Sequence, residues 1–277
     1  MDILQIKNLR KTFGTHKVLD DISFSVPEGS VFGFIGVNGA GKTTTMKIIL
    51  GLLEADGGEV YVCGEKVVFG SAKSNRLIGY LPDVPEYYNY MRPKEYLTLC
   101  GEITGMDTGR IKARSKELLE LVGLSKVNKK IGSFSRGMKQ RLGVAQALLN
   151  EPKLLICDEP TSALDPLGRK EILDILLEIK GKTTVIFSTH ILSDVERICD
   201  SAAVLHKGKI VLCGGLQELR ARHGASDKTI AFASAADKEK FLDLPEIGTL
   251  FHITGEGETS VTFSQGNIES LFLEVIE

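Results

Sequence analysis

Val31-Phe-Gly-Phe-Ile-Gly-Val-Asn-Gly-Ala-Gly-Lys-Thr-Thr44 is the stretch that decides the fold. Its apolar start, Val31 to Ile35, has the length and character of a buried strand, and Thr43 to Leu53 has helical spacing with stops at Gly51 and Gly57-Gly58. Between them, Gly36 to Thr43 fits G-x-x-x-x-G-K-[ST]. A loop relieved of side chains can curl tightly enough to aim several backbone N–H groups at one anion, and the helix behind it adds the positive end of its dipole. The pattern predicts a nucleotide cradle made by Gly36, Val37, Asn38, Gly39, Ala40, Gly41, Lys42, Thr43 and Thr44. Lys42 would neutralise the β- and γ-phosphates, and the Thr43 hydroxyl would ligate Mg²⁺.

Outward from this loop the pattern is α/β. Ile22, Phe24 and Val26 alternate with polar residues before the turn at Pro27-Glu28-Gly29. Strands are expected again at Lys153 to Cys157 and Thr183 to Phe187, with a helix from Leu167 to Ile179 between them, which implies a largely parallel core. Val204 to Val211 reads as a hairpin turning at Lys207-Gly208. The section from Arg92 to Val122 is different. Pro93 opens one expected helix, and a second runs from Arg110 to Val122. After Gln217 the composition shifts, and residues 224–277 predict a short strand, a charged helix at Asp237 to Leu244, two further strands and a final helix.

Leu154-Leu-Ile-Cys-Asp-Glu159 brings two carboxylates to the end of an apolar strand. Asp158 suits indirect hold on Mg²⁺, and Glu159 suits polarising an attacking water. On these residues alone a kinase, a GTPase and a helicase all remain open.

Phe134-Ser-Arg-Gly-Met-Lys-Gln-Arg-Leu-Gly-Val-Ala-Gln-Ala-Leu148 narrows the choice. It resembles the signature helix of ABC ATPases, usually L-S-G-G-Q. Ser135 and Gly137 match; Phe134, Arg136 and Met138 depart from the pattern. Ser135 is a good N-cap, and the helix tip it opens is an anion site. Ser162-Ala-Leu-Asp165 resembles the family's D-loop, and His190, after the strand Thr184 to Ser188, its switch histidine. His16, His206, His223 and His252 carry no such context and are expected to be structural. Phe13 matches the aromatic that stacks on adenine in this family, with a core phenylalanine as the other reading. Asp83 stands where the family usually has glutamine after Gly-Tyr-Leu-Pro, as in the branch serving ABC-2 type exporters, and Ile268-Glu-Ser-Leu-Phe-Leu-Glu resembles that branch too.

The resemblance covers roughly residues 2–220. It implies a P-loop NTPase of ABC type, with a parallel-sheet core, an antiparallel N-terminal β part and a helical subdomain at about 83–150, followed by a small α+β appendage at 224–277. It also implies an ATPase, with Glu159, His190 and Lys42 catalytic. Phe13, residues 36–44, Asp83, Ser135, Gly137 and Asp165 would bind nucleotide, and Thr43, Asp158 and Asp83 would hold Mg²⁺. Two protomers, most simply a homodimer, would close around two ATP molecules. A separate transmembrane permease would be the partner, and the chain would sit in the cytoplasm, peripheral on the inner face of the cell membrane. The loop after Pro82 is expected to pass motion to the permease; Tyr87-Tyr88-Asn89-Tyr90 is either a docking surface or a packed loop.

Composition fits this frame. The 277 residues are 43% hydrophobic and 25% charged, with a net charge of −2, which gives no basic field for nucleic acid. No stretch approaches the ~20 apolar residues of a membrane-spanning helix. The five cysteines, Cys63, Cys100, Cys157, Cys199 and Cys213, form no C-x-x-C pair and read as buried free thiols. A soluble ABC ATPase of DNA repair or the ribosome is the rival reading. Against it, only about 120 residues separate the two nucleotide motifs, without heptads, and the chain has one ATPase half.

Overall fold

The computed structural model describes residues 2–222, 227–243 and 252–264. The chain forms two compact units, Met1–Cys213 and Gly214–Glu277.

In the first unit, β1 (Asp2–Phe13) and β2 (His16–Pro27) make a long antiparallel hairpin. β3 (Val31–Ile35) is buried at every position and runs through the glycine loop into α1 (Lys42–Ile49). That helix ends earlier than its spacing suggests, because Gly51 takes a left-handed φ of 64° that redirects the chain. β4 (Gly57–Val62) and the two-residue β5 (Glu65–Lys66) extend the hairpin sheet, and β6 (Ile78–Leu81) joins the other sheet. Three helices follow: α2 (Pro93–Ile103), α3 (Thr108–Leu121) and α4 (Arg136–Ala147). Then come β7 (Leu154–Asp158), α5 (Pro166–Glu178), β8 (Thr184–Thr189), α6 (Leu192–Ile198), β9 (Ser201–His206) and β10 (Lys209–Gly215). Lys207 and Gly208 both have positive φ, 46° and 77°, as the tight β9–β10 turn requires.

The antiparallel sheet has the order β2-β1-β4-β5; the six-stranded one is β10-β9-β3-β8-β7-β6, with β3 parallel to β8 and β9, and β7 parallel to β6 and β8. A continuous apolar core joins the two sheets through α1. Leu4, Ile6, Ile22, Phe32, Met46 and Ile49 belong to it. Phe24 from the hairpin stacks on Phe32 and Phe34 at centroid distances of 5.5 and 5.2 Å. Each such side chain contributes ~1.5–3 kcal/mol by leaving water, so the hairpin and the parallel sheet hold β3 rigidly. The loops at the carboxyl ends of β3, β7 and β8 therefore converge at a fixed place, where parallel sheets bind ligands.

The helical section is locally specified. The Glu95 side chain accepts from the Arg92 backbone N–H at 2.8 Å, and Asp107 caps α3 at Gly109 (2.9 Å) and Arg110 (3.1 Å). α4 lies against β6 at Gly143, where an added Cβ would come within 2.4 Å of Leu81.

In the second unit, α7 (Leu216–Arg222), β11 (Asp227–Ala231), α8 (Ala235–Leu242), β12 (His252–Glu256) and β13 (Ser260–Ser264) are described. The sheet order is β11-β13-β12, both pairs antiparallel, and Val261 packs with Phe232, Phe241 and Leu242. Ser234 caps α8, which starts two residues before the charged helix expected from sequence. The expected final helix and the segment from Ile268 lie outside the described residues, as does His223. All five cysteines are free, but only Cys157 is fully buried, and Cys213 is exposed because it lies on β10, where side chains alternate outward. Among the described residues, no helix is long and apolar enough to cross a membrane.

Candidate functional site

The glycine loop curls because Gly41 holds φ at 111°, a conformation closed to residues with a Cβ, and such a Cβ would also lie 2.8 Å from Leu19. Gly36 donates its N–H to the Thr189 carbonyl at 3.3 Å and Ala40 to the Val37 carbonyl at 3.1 Å. Lys42 turns back across the loop. Its Nζ donates to the Gly36 and Val37 carbonyls at 2.6 and 3.2 Å and lies 3.0 Å from Glu159 Oε1, with the side chain only 6% exposed.

Strand register supplies the rest. Asp158 on β7 is paired with Ser188 on β8, and Ile35 on β3 with Thr189. Ser188 Oγ donates to Asp158 Oδ1 at 2.6 Å and accepts from the Glu159 N–H at 2.9 Å. Thr43 Oγ1 donates to Asp158 Oδ2 at 2.7 Å. Glu159 has a left-handed φ of 48°, a conformation that costs on the order of 1 kcal/mol without glycine. That turn aims its carboxylate back over Lys42, and its other oxygen, Oε2, meets His190 Nδ1 at 2.9 Å. Asn38, Lys42, Thr43, Asp83, Glu159 and His190 line one cavity of about 490 Å³. Gly39, Gly41 and Thr44 line it too.

The cavity suits a hard divalent cation held jointly with a triphosphate. A hydroxyl and a carboxylate oxygen sit side by side at Thr43 and Asp158. Among the described residues no cluster of three or more His, Cys, Asp or Glu could hold a metal unaided. Magnesium is commonly bound by one or two protein oxygens plus substrate phosphates.

Ser135, Gly137 and Asp165 are not in this cavity. They line a second depression of about 390 Å³, with Arg136 and Leu164. Ser135 caps α4 by accepting from the Met138 N–H at 3.3 Å, and Asp165 caps α5 by accepting from the Gly168 N–H at 3.1 Å. Phe13 is 49% exposed with the Lys11 ammonium 5.4 Å from its ring centroid, and it is not part of the cavity wall. The Tyr87–Tyr90 run splits. Tyr87 packs edge-on against Tyr96, 5.1 Å between centroids, and donates to the Lys139 carbonyl at 2.6 Å, whereas Tyr88 and Tyr90 are exposed. Burial pushes the Tyr87 hydroxyl pKa well up, and burial followed by the charge of Asp158 takes Tyr80 up to about 12.

Sequence reasoning missed three groups. His16 and Val18, at the start of β2, line the cavity, although His16 carries no motif. Asp194 in the first turn of α6 is almost fully buried; it accepts from Thr161 Oγ1 at 2.7 Å and pairs with Arg169 at 2.7 Å. Arg136 pairs with Asp83 at 3.2 Å.

Known proteins match this chain closely. The family model described as ABC transporter matches residues 19–162. An ABC transporter ATP-binding protein of Bacillus subtilis strain 168, YxlF, is 45% identical over 79% of this chain and 72% of its own length. The bacitracin transport ATP-binding protein BcrA of Bacillus licheniformis is 40% identical over 76% of this chain and 68% of its own. A solved ATP-binding subunit of an ABC transporter superposes with a TM-score of 0.72 at 35% identity, covering 80% of this chain and 93% of that one.

Proposed function

The chain belongs to the ABC transporter ATP-binding family, whose members hydrolyse ATP to power transport, and from that premise we propose that it drives export through a separate transmembrane permease, as one of two identical protomers that close around two ATP molecules. The kinship to the bacitracin transport ATP-binding protein supports the transport reading. The one observation that carries the mechanism is the Glu159 carboxylate held between Lys42 at 3.0 Å and His190 at 2.9 Å.

In that arrangement Oε1 lies 3.0 Å from the Lys42 ammonium without a hydrogen bond and Oε2 meets His190, so the Lys42 charge competes with water for the carboxylate. Triphosphate in the loop offers Lys42 a stronger partner than two backbone carbonyls and one carboxylate. Lys42 moves to the phosphate oxygens, and Glu159 is freed on one side while His190 still holds the other. The free oxygen accepts from the attacking water in line with the γ-phosphate. Thr43 and Asp158 would hold Mg²⁺, with Asp83 on the same cavity wall, and the cation would neutralise developing charge on the phosphates. Ser135 and Gly137 meet the γ-phosphate bound by the second protomer, and Phe13 reaches the adenine. Hydrolysis is thereby conditional on nucleotide.

The exposed Tyr88 and Tyr90 on the loop after Pro82 are the surface offered to the permease. The chain works peripherally, on the inner face of the cell membrane. Affinity purification from detergent-solubilised membranes should bring down a polytopic membrane protein in fixed stoichiometry, lost in a Tyr88→Ala, Tyr90→Ala variant. A chain recovered without such a protein sinks the transport assignment, and unchanged recovery in the variant sinks the docking surface.

A further inference from the structure

Asp83 stands where two cations can claim it. It lines the nucleotide cavity with Thr43 and Glu159. Its carboxylate Oδ1 also lies 3.2 Å from Arg136 Nη2, at the tip of α4. The backbone here is pinned independently of that pair. Gln140, fully buried, donates its Nε2 to the Asp83 carbonyl at 2.7 Å, and Tyr87 is anchored to the Lys139 carbonyl at 2.6 Å. The loop thus lies along α4, and only the Asp83 side chain is free to change partner. Both members of the pair are half-exposed, 45% and 44%, and an exposed ion pair is weak enough to be exchanged.

The two departures from the family pattern compensate each other. A carboxylate at position 83 adds negative charge beside Glu159 and a triphosphate, where a neutral amide would not. An arginine at position 136, 53 residues away in sequence, answers that charge. We propose that Arg136 is a positioning residue that competes with the nucleotide-bound divalent cation for the Asp83 carboxylate. The guanidinium at the signature-helix tip thereby sets how tightly the same protomer's cavity holds its cation. Linkage makes the effect reciprocal: whatever Arg136 takes from cation binding, the cation takes from the Arg136–Asp83 contact. The tip of α4 is then differently charged before and after the cavity of its own chain is filled.

This inference rests on the nucleotide reading of the cavity, and one experiment separates the two. Mn²⁺, seen as free ion by electron paramagnetic resonance, replaces Mg²⁺ in titrations of full-length protein loaded with a non-hydrolysable ATP analogue, at concentrations where it is monomeric. Arg136→Ala should tighten Mn²⁺ binding on the order of threefold, the scale of one exposed ion pair. Asp83→Asn should weaken it, and adding Arg136→Ala to Asp83→Asn should change nothing further. Arg136→Lys should restore the parent value, which a loss of packing would not permit. Equal Mn²⁺ affinity in the parent and Arg136→Ala overturns the competition, as does tightening that persists with Asp83→Asn. Failure of the parent to bind the analogue overturns the nucleotide reading instead.

Discussion

The two depressions of the first unit contain similar chemistry and are finished to different degrees. Around Lys42 every charged group has its counterpart within the chain: Lys42 with Glu159, Glu159 with His190, Thr43 with Asp158, and Asp158 with Ser188. Around Ser135 the helix cap is made, at 3.3 Å, and the lining mixes Arg136 and Arg141 with Asp165 and Glu171. The first is a cradle whose Glu159 carboxylate is held between Lys42 and His190. The second is a capped helix tip that, on the proposed reading, takes its anion from another chain. On the function proposed above, these are two unlike halves of a site, which two chains would complete.

The largest expected effect breaks the first half only. Glu159→Gln removes the water-aligning charge, so turnover in a steady-state phosphate-release assay should fall by ~10²–10⁴, while ATP affinity by equilibrium binding persists. Normal turnover would show that another group aligns the water.

Asp194→Ala reaches both depressions at once. Thr161 lies between Glu159 of the first and Asp165 of the second, and its hydroxyl is tied to Asp194, which is itself paired with Arg169. Removing one partner of a largely buried pair costs roughly 2–3 kcal/mol after allowing for the partial exposure of Arg169, toward the low end for such pairs. That is a drop in Tm of roughly 5–10 °C by calorimetry. A change under 1 °C would show that Asp194 does not brace the loop.

Ser135→Ala acts on the second half alone. Loss of the cap costs about 1 kcal/mol. Urea unfolding should move by that amount, while ATP affinity of the single protomer stays unchanged. A weakened single-protomer affinity would merge the two depressions into one site.

The smallest effect is a pH slope. Burial, and then the charge of Asp158, push the Tyr80 hydroxyl from its ordinary 10.0 up to about 12 in the folded chain. Between those values the native state keeps a proton the unfolded state has lost, so stability falls as pH rises through that window. Tyr80→Phe should flatten the slope of denaturant midpoint against pH above about 10; an unaltered slope would assign it to other groups.

The first half was legible in the sequence because its chemistry is written in contiguous runs. Gly36 to Thr43 and Leu154 to Glu159 each state a strand, a turn and a role within a dozen residues. The contacts that tune the site were not. Asp194 meets Thr161 across 33 residues and Arg136 meets Asp83 across 53. Such pairs exist only once β6, β7 and β8 lie side by side. β6 itself is four residues, Ile78 to Leu81, too short for periodicity to announce. His16 lacks any motif and reaches the cavity only because the hairpin turns at Gly14-Thr15. Phe13, marked by resemblance, lies off the cavity wall under Lys11, so its stacking role needs the side chain to move.

The central claim is that ATP joins two chains, and sedimentation equilibrium of the Glu159→Gln protein tests it most directly. With MgATP the species should have twice the mass of one chain, with ADP it should be monomeric, and adding Ser135→Arg should keep it monomeric in MgATP while each protomer still binds nucleotide. A Glu159→Gln protein that binds MgATP and stays monomeric, or a dimer indifferent to Ser135→Arg, would contradict the account.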